Sequence, residues 1–245
     1  SQSLAPRRVP QMGLPRSDRN QWPMREVVCR LLASPFGWVH NPVTPSFSQV
    51  ANKRSTLGKE ELRIKIRRSL AKTDKKDRRN WSALLCRKLS SWISSNGGIK
   101  LIATYASLET EVDLAVLHTS LPALYRFAYP LVSGSMLSFH LVEHQSELRH
   151  GAFNIPEPDP DIHPSISPEE IDLCLCPGLA FTHGGARLGR GKAYYDATLQ
   201  RLNRKSIRMG VAFDLQVYDD LPVEAHDISM THLATPSGIR PTPEY

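Results

Sequence analysis

Within nine residues, Gly184-Gly185-Ala186-Arg187-Leu188-Gly189-Arg190-Gly191-Lys192, the chain combines four glycines with three cations. Glycines let a backbone turn sharply and come close to a ligand, and the N–H groups are then free to face phosphate oxygens. Arg187, Arg190 and Lys192 add formal charge to those donors, so the segment suits a polyanion, and a nucleoside triphosphate fits that description. Neither common nucleotide fingerprint is present. A Walker loop needs Gly at 186 and Ser or Thr at 193, where this chain has Ala186 and Ala193, and the third glycine of a Rossmann loop would fall on Tyr194. Spacing alone also admits a glycine-rich surface turn with solvated cations. Asp196 follows Tyr194 and Tyr195 at the start of an expected helix, 194–202. A carboxylate there either interacts with the helix dipole or holds a divalent ion, and an adjoining triphosphate favours the ion, because magnesium accompanies nucleotides.

These residues need elements to hold them. Ile171 to Cys176 carries apolar residues at 171, 173 and 175 ahead of Pro177-Gly178, as a buried strand does, and would present the glycine segment at its carboxyl end. Upstream, Leu62, Ile66 and Leu70 repeat at helical spacing over 59–71. That puts Lys59 and Arg63, four apart, on one face where both could reach one anion, though a solvated basic face fits the same spacing. Further helices are expected at 75–95 and 112–119, and strands at 99–105, 127–132, 136–142, 207–213 and 228–233. The alternation suits a parallel sheet covered by helices. Five prolines between 156 and 168 argue against regular structure there.

Pro177-Gly178-Leu179-Ala180-Phe181, Arg187 to Lys192 and Tyr194-Tyr195-Asp196, in this order and spacing, resemble the 5-formyltetrahydrofolate cyclo-ligase family, also called methenyltetrahydrofolate synthetases. The likeness continues through Lys59-Glu60-Glu61-Leu62-Arg63, Tyr105 to Asp113, Phe153 to Pro158, Gln216 and Pro222 to Asp227. It implies a three-layer α/β/α fold with a mostly parallel central sheet, as a single catalytic domain over 53–235, after an extension, 1–52, and before a tail, 236–245. It implies that the ATP phosphates bind Lys59 and Arg63 together with Arg187, Leu188, Gly189, Arg190, Gly191, Lys192, Ala193, Tyr194 and Tyr195. Asp196 and Asp227 are carried over as ligands of Mg2+. Glu111 is carried over as the residue that takes the pterin end of folate, an acceptor-only carboxylate opposite ring N–H donors, with capping of the next helix as its other reading. Ala106, Phe153 and Tyr195 would line the folate pocket, and core packing is the other reading of the two rings. The chain departs from the family pattern at Thr182, Ala193 and Ala106, where Asp, Gly and a larger apolar residue are usual.

The reaction so implied converts 5-formyltetrahydrofolate to 5,10-methenyltetrahydrofolate with ADP and phosphate. The formyl group is an amide-like, poorly electrophilic carbonyl; ATP phosphorylates its oxygen, N10 attacks the activated carbon, and phosphate leaves. Lys59, Arg63, Arg187, Arg190 and Lys192 would be the catalytic cations, since phosphoryl transfer is mainly positioning and charge stabilisation. Ala193 and Thr182 leave open a weakened relative that binds folate or nucleotide without efficient turnover.

Charge is uneven: residues 53–88 carry 14 Lys or Arg against 4 Asp or Glu, whereas 89–245 carry 11 against 18. Such a basic segment could bind nucleic acid, but Trp81 and Trp92 share an apolar helical stripe with Leu84, Leu85 and Leu89, which reads as core. Nucleic acid is therefore the disfavoured partner, and ATP and folate polyglutamate are the anions the field suits. No apolar run approaches the roughly 18 to 20 residues that cross a bilayer, so no membrane contact is expected, and a monomer is. Cys29, Cys86, Cys174 and Cys176 lack paired metal spacing and read as reduced thiols. The Pro- and Arg-rich, acid-poor stretch 1–52 suggests an organellar transit segment, mitochondrial or plastid, with a disordered linker and a cytoplasmic protein as the equal alternative.

Overall fold

The computed structural model describes residues 58–151 and 155–243, so the expected extension 1–52 and Phe153 lie outside the described residues. Helix α1 (Lys59–Lys72) buries Leu62, Ile66 and Leu70, as their spacing of four requires. Helix α2 (Lys75–Ser95) follows a two-residue link, its start fixed by the Asp74 side chain, which accepts the N–H of Lys76 at 2.6 Å and of Asp77 at 3.4 Å. After β1 (Leu101–Ala103) and the short α3 (Ala115–Ser120), an antiparallel hairpin is formed by β2 (Arg126–Ser133) and β3 (Met136–Leu141).

Two pieces of strand, β4 (Arg149–His150) and β5 (Pro156–Glu157), pair with each other, and β6 (Ser165–Ile166) adds to β3. The proline-rich stretch thus carries short edge strands where irregular chain was expected; Pro156 is tolerated because its ladder is only two residues wide and lies at an edge. Then come β7 (Leu173–Cys176), β8 (Ala180–Thr182), β9 (Arg187–Leu188), α4 (Tyr194–Leu199), β10 (Ile207–Val211), β11 (Val217–Tyr218), β12 (His232–Thr235) and β13 (Gly238–Pro241).

The main sheet runs β13-β12-β10-β7-β1-β2-β3-β6. Its five inner strands, β12 to β2 in that order, pair in parallel; β13 and β3 run antiparallel to them at either side, and β6 pairs antiparallel with β3. Alternate residues of β7 feed opposite layers: Leu173 and Leu175 join α1, α2 and α3, while Cys174 and Cys176 join Phe181 and Leu199 on the other face. The three-layer α/β/α arrangement is therefore as expected, with α4 and the small β11-β8-β9 sheet beside the second face. Residues 236–245, expected as a tail, instead contribute β13, whose Leu233–Arg240 and Ala234–Ile239 pairs close the sheet edge. Among the described residues no helix is long and apolar enough to cross a membrane.

Candidate active site

At the carboxyl end of β7 the chain enters Pro177-Gly178, and the glycine segment that follows is two structures rather than one loop. Its first part is the β8–β9 hairpin, with Ala180 opposite Leu188 and Phe181 opposite Arg187. Gly185 turns that hairpin at φ 92, where a side chain would meet the Met230 carbonyl oxygen at 2.5 Å, so only glycine fits. Thr182 closes the same turn, its hydroxyl accepting the Ala186 N–H at 3.0 Å, a task for which any acceptor oxygen serves. The open loop is only Gly189 to Ala193. Gly191 has φ 104, and Ala193 stands at φ 54, the single non-glycine residue in the left-handed region among the described residues. Gln216 braces the base of this structure. Its buried carboxamide accepts from Phe213 N–H at 2.8 Å and donates to the carbonyls of Gly178 and Leu179 at 2.9 and 3.1 Å.

The loop, the first turns of α1 and the segment after β1 enclose a cavity of about 870 Å³. Lys59, Arg63, Ala106, Glu111, Arg187, Leu188, Gly189, Arg190, Gly191, Lys192, Ala193, Tyr194, Tyr195, Asp196 and Asp227 all line it. Thus every described residue expected to bind nucleotide, folate or magnesium lines this one cavity. Residues given no role from the sequence line it too: Glu60, Leu108, Pro130, Val132, Leu137 and Glu157, and Glu224 and His226 beside Asp227.

Four of the five cations do not stand free. Lys59 Nζ lies 2.7 Å from Asp227 Oδ2 and 3.3 Å from Glu224 Oε2. Arg187 NH2 pairs with Asp196 Oδ1 at 2.8 Å, and its guanidinium lies 5.6 Å from the centre of the Tyr195 ring. Arg190 donates from both Nε and NH2 to Glu111 Oε1 at 2.8 Å. Arg63 donates to the Gly189 carbonyl at 3.1 Å and pairs with Glu60 at 3.0 Å. One turn further along α1, Arg67 donates to the Arg190 carbonyl at 3.1 Å. Arg67 continues the spacing of Lys59 and Arg63, which was the available signal for it. Among the described residues Lys192 makes no ion pair and is exposed at the loop.

Burial sets the titration behaviour of this wall. It pushes the Tyr195 hydroxyl well above its ordinary range, and that hydroxyl has no hydrogen-bond partner among the described residues. Burial, with the Glu111 charge second, does the same to Tyr105, whose hydroxyl donates to the Val112 carbonyl at 3.1 Å. For Asp227 partial burial acts upward, but the Lys59 ammonium and the Glu224 N–H outweigh it and hold the carboxyl below its usual value.

Asp196 and Asp227 are close neighbours, since Ile228 N–H reaches Asp196 Oδ1 at 3.5 Å. No three His, Cys, Asp or Glu side chains converge as a metal cage among the described residues. Two cavity-facing carboxylates nonetheless fit magnesium, which keeps several waters and takes few protein oxygens beside substrate phosphates.

A mixed sheet with a parallel core and a cation-lined cavity beyond its strand ends, beside a glycine segment, makes this an α/β protein whose cavity suits anions. Residues 55–236 match the model of the 5-formyltetrahydrofolate cyclo-ligase family, and the chain belongs to that family. It is 32% identical to the 5-formyltetrahydrofolate cyclo-ligase of Mycolicibacterium smegmatis over 60% of this chain and 80% of the relative. With the Escherichia coli K12 enzyme of the same name it shares 33% identity over 56% of this chain and 79% of that one. Among solved structures, the 5,10-methenyltetrahydrofolate synthetase of Aquifex aeolicus superposes with a TM-score of 0.67 at 33% identity, covering 76% of this chain and 94% of its own.

Proposed function

We propose that this chain converts 5-formyltetrahydrofolate to 5,10-methenyltetrahydrofolate at the expense of ATP. One observation carries the reading. Lys59 and Arg63 of α1 and the Arg187–Lys192 segment, far apart in sequence, line one cavity that also has Glu111 and an apolar wall. The cationic side suits a triphosphate, and the wall of Ala106, Pro130, Val132 and Leu137 suits a flat heterocycle with Glu111 as acceptor for its N–H donors.

In this mechanism Lys59, Arg63 and Lys192 hold the γ-phosphoryl group in line with the formyl oxygen and offset the charge that develops on it. Arg187 orients Asp196 and the Tyr195 ring, and Arg190, paired with Glu111, would stand between that carboxylate and the phosphates. Asp196 and Asp227 would hold magnesium, which when bound neutralises phosphate charge. N10 then attacks the activated carbon while the same cations stabilise departing phosphate, so the protein supplies no covalent nucleophile. The positive field of residues 53–88 would draw polyglutamated folates. Thr182 does not weaken this reading, because its hydroxyl serves the hairpin turn rather than the cavity.

The test is the near-ultraviolet absorbance of the methenyl product after mixing the protein with 5-formyltetrahydrofolate, magnesium and ATP. Growth of that absorbance only when ATP is present is the expected result. Tight binding of both ligands with no product would leave a binding protein in place of the enzyme.

A further inference from the structure

The two halves of the cavity meet at one ion pair. Glu111 is the fixed member: its side chain is 7% exposed, its Oε2 accepts the Leu108 N–H at 3.0 Å, and its own N–H donates to the Leu108 carbonyl at 2.9 Å. Arg190 is the movable one. Its side chain is 33% exposed and it lies between Gly189 and Gly191, while Arg67 holds its carbonyl, so the guanidinium can swing about an anchored backbone. Apart from the Thr110 hydroxyl at 3.5 Å, its side-chain hydrogen bonds among the described residues are all with one oxygen, Glu111 Oε1.

We infer that the Arg190–Glu111 pair couples nucleotide and folate binding, so that each ligand raises the affinity for the other. The inference rests on the function proposed above and deepens it. Phosphate oxygens at the glycine loop carry more negative charge than one carboxylate and lie within the loop that bears Arg190, so they draw the guanidinium to themselves. That leaves a nearly buried carboxylate with one oxygen unpaired, a strongly unfavourable arrangement. A ligand with adjacent N–H donors relieves it. The pterin edge of a folate has those donors, so a folate binds best once Arg190 has moved. Linkage makes the effect reciprocal: a folate that takes Glu111 releases Arg190 to the phosphates. Arg190 is in this respect a positioning residue, deciding when Glu111 is available.

Titration calorimetry on the full chain tests this with magnesium and β,γ-imido-ATP, which cannot be turned over, and with 5-formyltetrahydrofolate. Saturating imido-ATP should tighten folate binding by roughly tenfold, inside the range of about 5- to 150-fold usual for coupled sites. In Arg190→Met the nucleotide should change folate affinity by less than about twofold. Folate alone should bind this variant more tightly than it binds the wild type, because Glu111 is no longer held. A loop that had merely been damaged would weaken folate binding instead, which would overturn the inference, as would coupling that survives in the variant. If the wild type binds both ligands independently, the coupling is wrong and the proposed function stands. If the wild type binds neither, the proposed function falls and the coupling with it.

Discussion

Lys192 and Ala193 sit side by side in the open loop and lead to opposite expectations. Lys192 is exposed at the loop and makes no ion pair among the described residues, whereas Lys59, Arg63, Arg187 and Arg190 are each held by an acid. It can therefore meet phosphate without giving up another partner. Lys192→Ala should lower turnover by about 10²-fold or more, the scale lost with one preorganised donor, and near-native turnover would remove it from the site. Ala193 is held at φ 54 as the residue before α4. The left-handed region costs an L-residue roughly 1–2 kcal/mol, and Gly returns roughly 0.5–1 kcal/mol of that through its freer unfolded chain. Ala193→Gly should stabilise the fold by about 0.5–1 kcal/mol, read as a higher urea midpoint at unchanged slope. A lower midpoint would show that the methyl group packs favourably. Both residue types were visible in the sequence, but the φ of Ala193 was not, because it is imposed by the meeting of hairpin, loop and helix. Two of the acids paired with the cations were equally hidden as partners: Asp227 is 168 residues from Lys59 and Glu111 is 79 from Arg190, beyond any local pattern.

Helix α1 acts as a lever for the site because one face is apolar and the neighbouring face is the stripe Lys59, Arg63 and Arg67. Its far end is fixed by a residue of the next helix. Arg78 of α2 is buried and donates to the carbonyls of Leu70 at 3.2 Å and Thr73 at the end of α1, and to the Glu109 carbonyl at 3.1 Å. One guanidinium thus ties both helices to the segment that carries Glu111. Arg78→Met would strip this donor from the Thr73 and Glu109 carbonyls, whereas Leu70 keeps the Thr73 N–H at 3.2 Å, and at roughly 1–3 kcal/mol for a buried unsatisfied group the fold should lose about 2–4 kcal/mol. Folate affinity should fall more than imido-ATP affinity, because the freed carbonyl of Glu109 lies two residues from Glu111. Equal losses for both ligands would mean that Arg78 only supports the helices. Periodicity located α1, α2 and the inner strands within a few residues, since long amphipathic or buried segments carry their own signal. The two-residue strands β4, β5, β6, β9 and β11 were not legible, because a strand that short is defined by its neighbour and not by its own residues.

Across the whole molecule the parallel core of the sheet follows from the alternation of elements, whereas β13 does not, since it exists only by pairing with β12. The layer formed by α1, α2 and α3 also determines how stability should respond to pH. His118 of α3 stacks on Phe127 with ring centres 4.2 Å apart, and burial holds its pKa below the ordinary value. His232, at the start of β12, meets Trp92 of α2 edge-on at 5.4 Å, and burial lowers it likewise. A depressed imidazole binds fewer protons in the folded chain than in the unfolded one. Its contribution to stability is therefore complete above the unfolded value of about 6.5 and is lost as pH falls below it. The thermal midpoint should accordingly drop between about pH 7.5 and pH 5.5, before most carboxylates titrate. In the double variant His118→Gln, His232→Gln the decline over that interval should be shallower, because the unfolded chain no longer takes up those two protons. A variant with the same slope as the wild type would assign the decline to other groups.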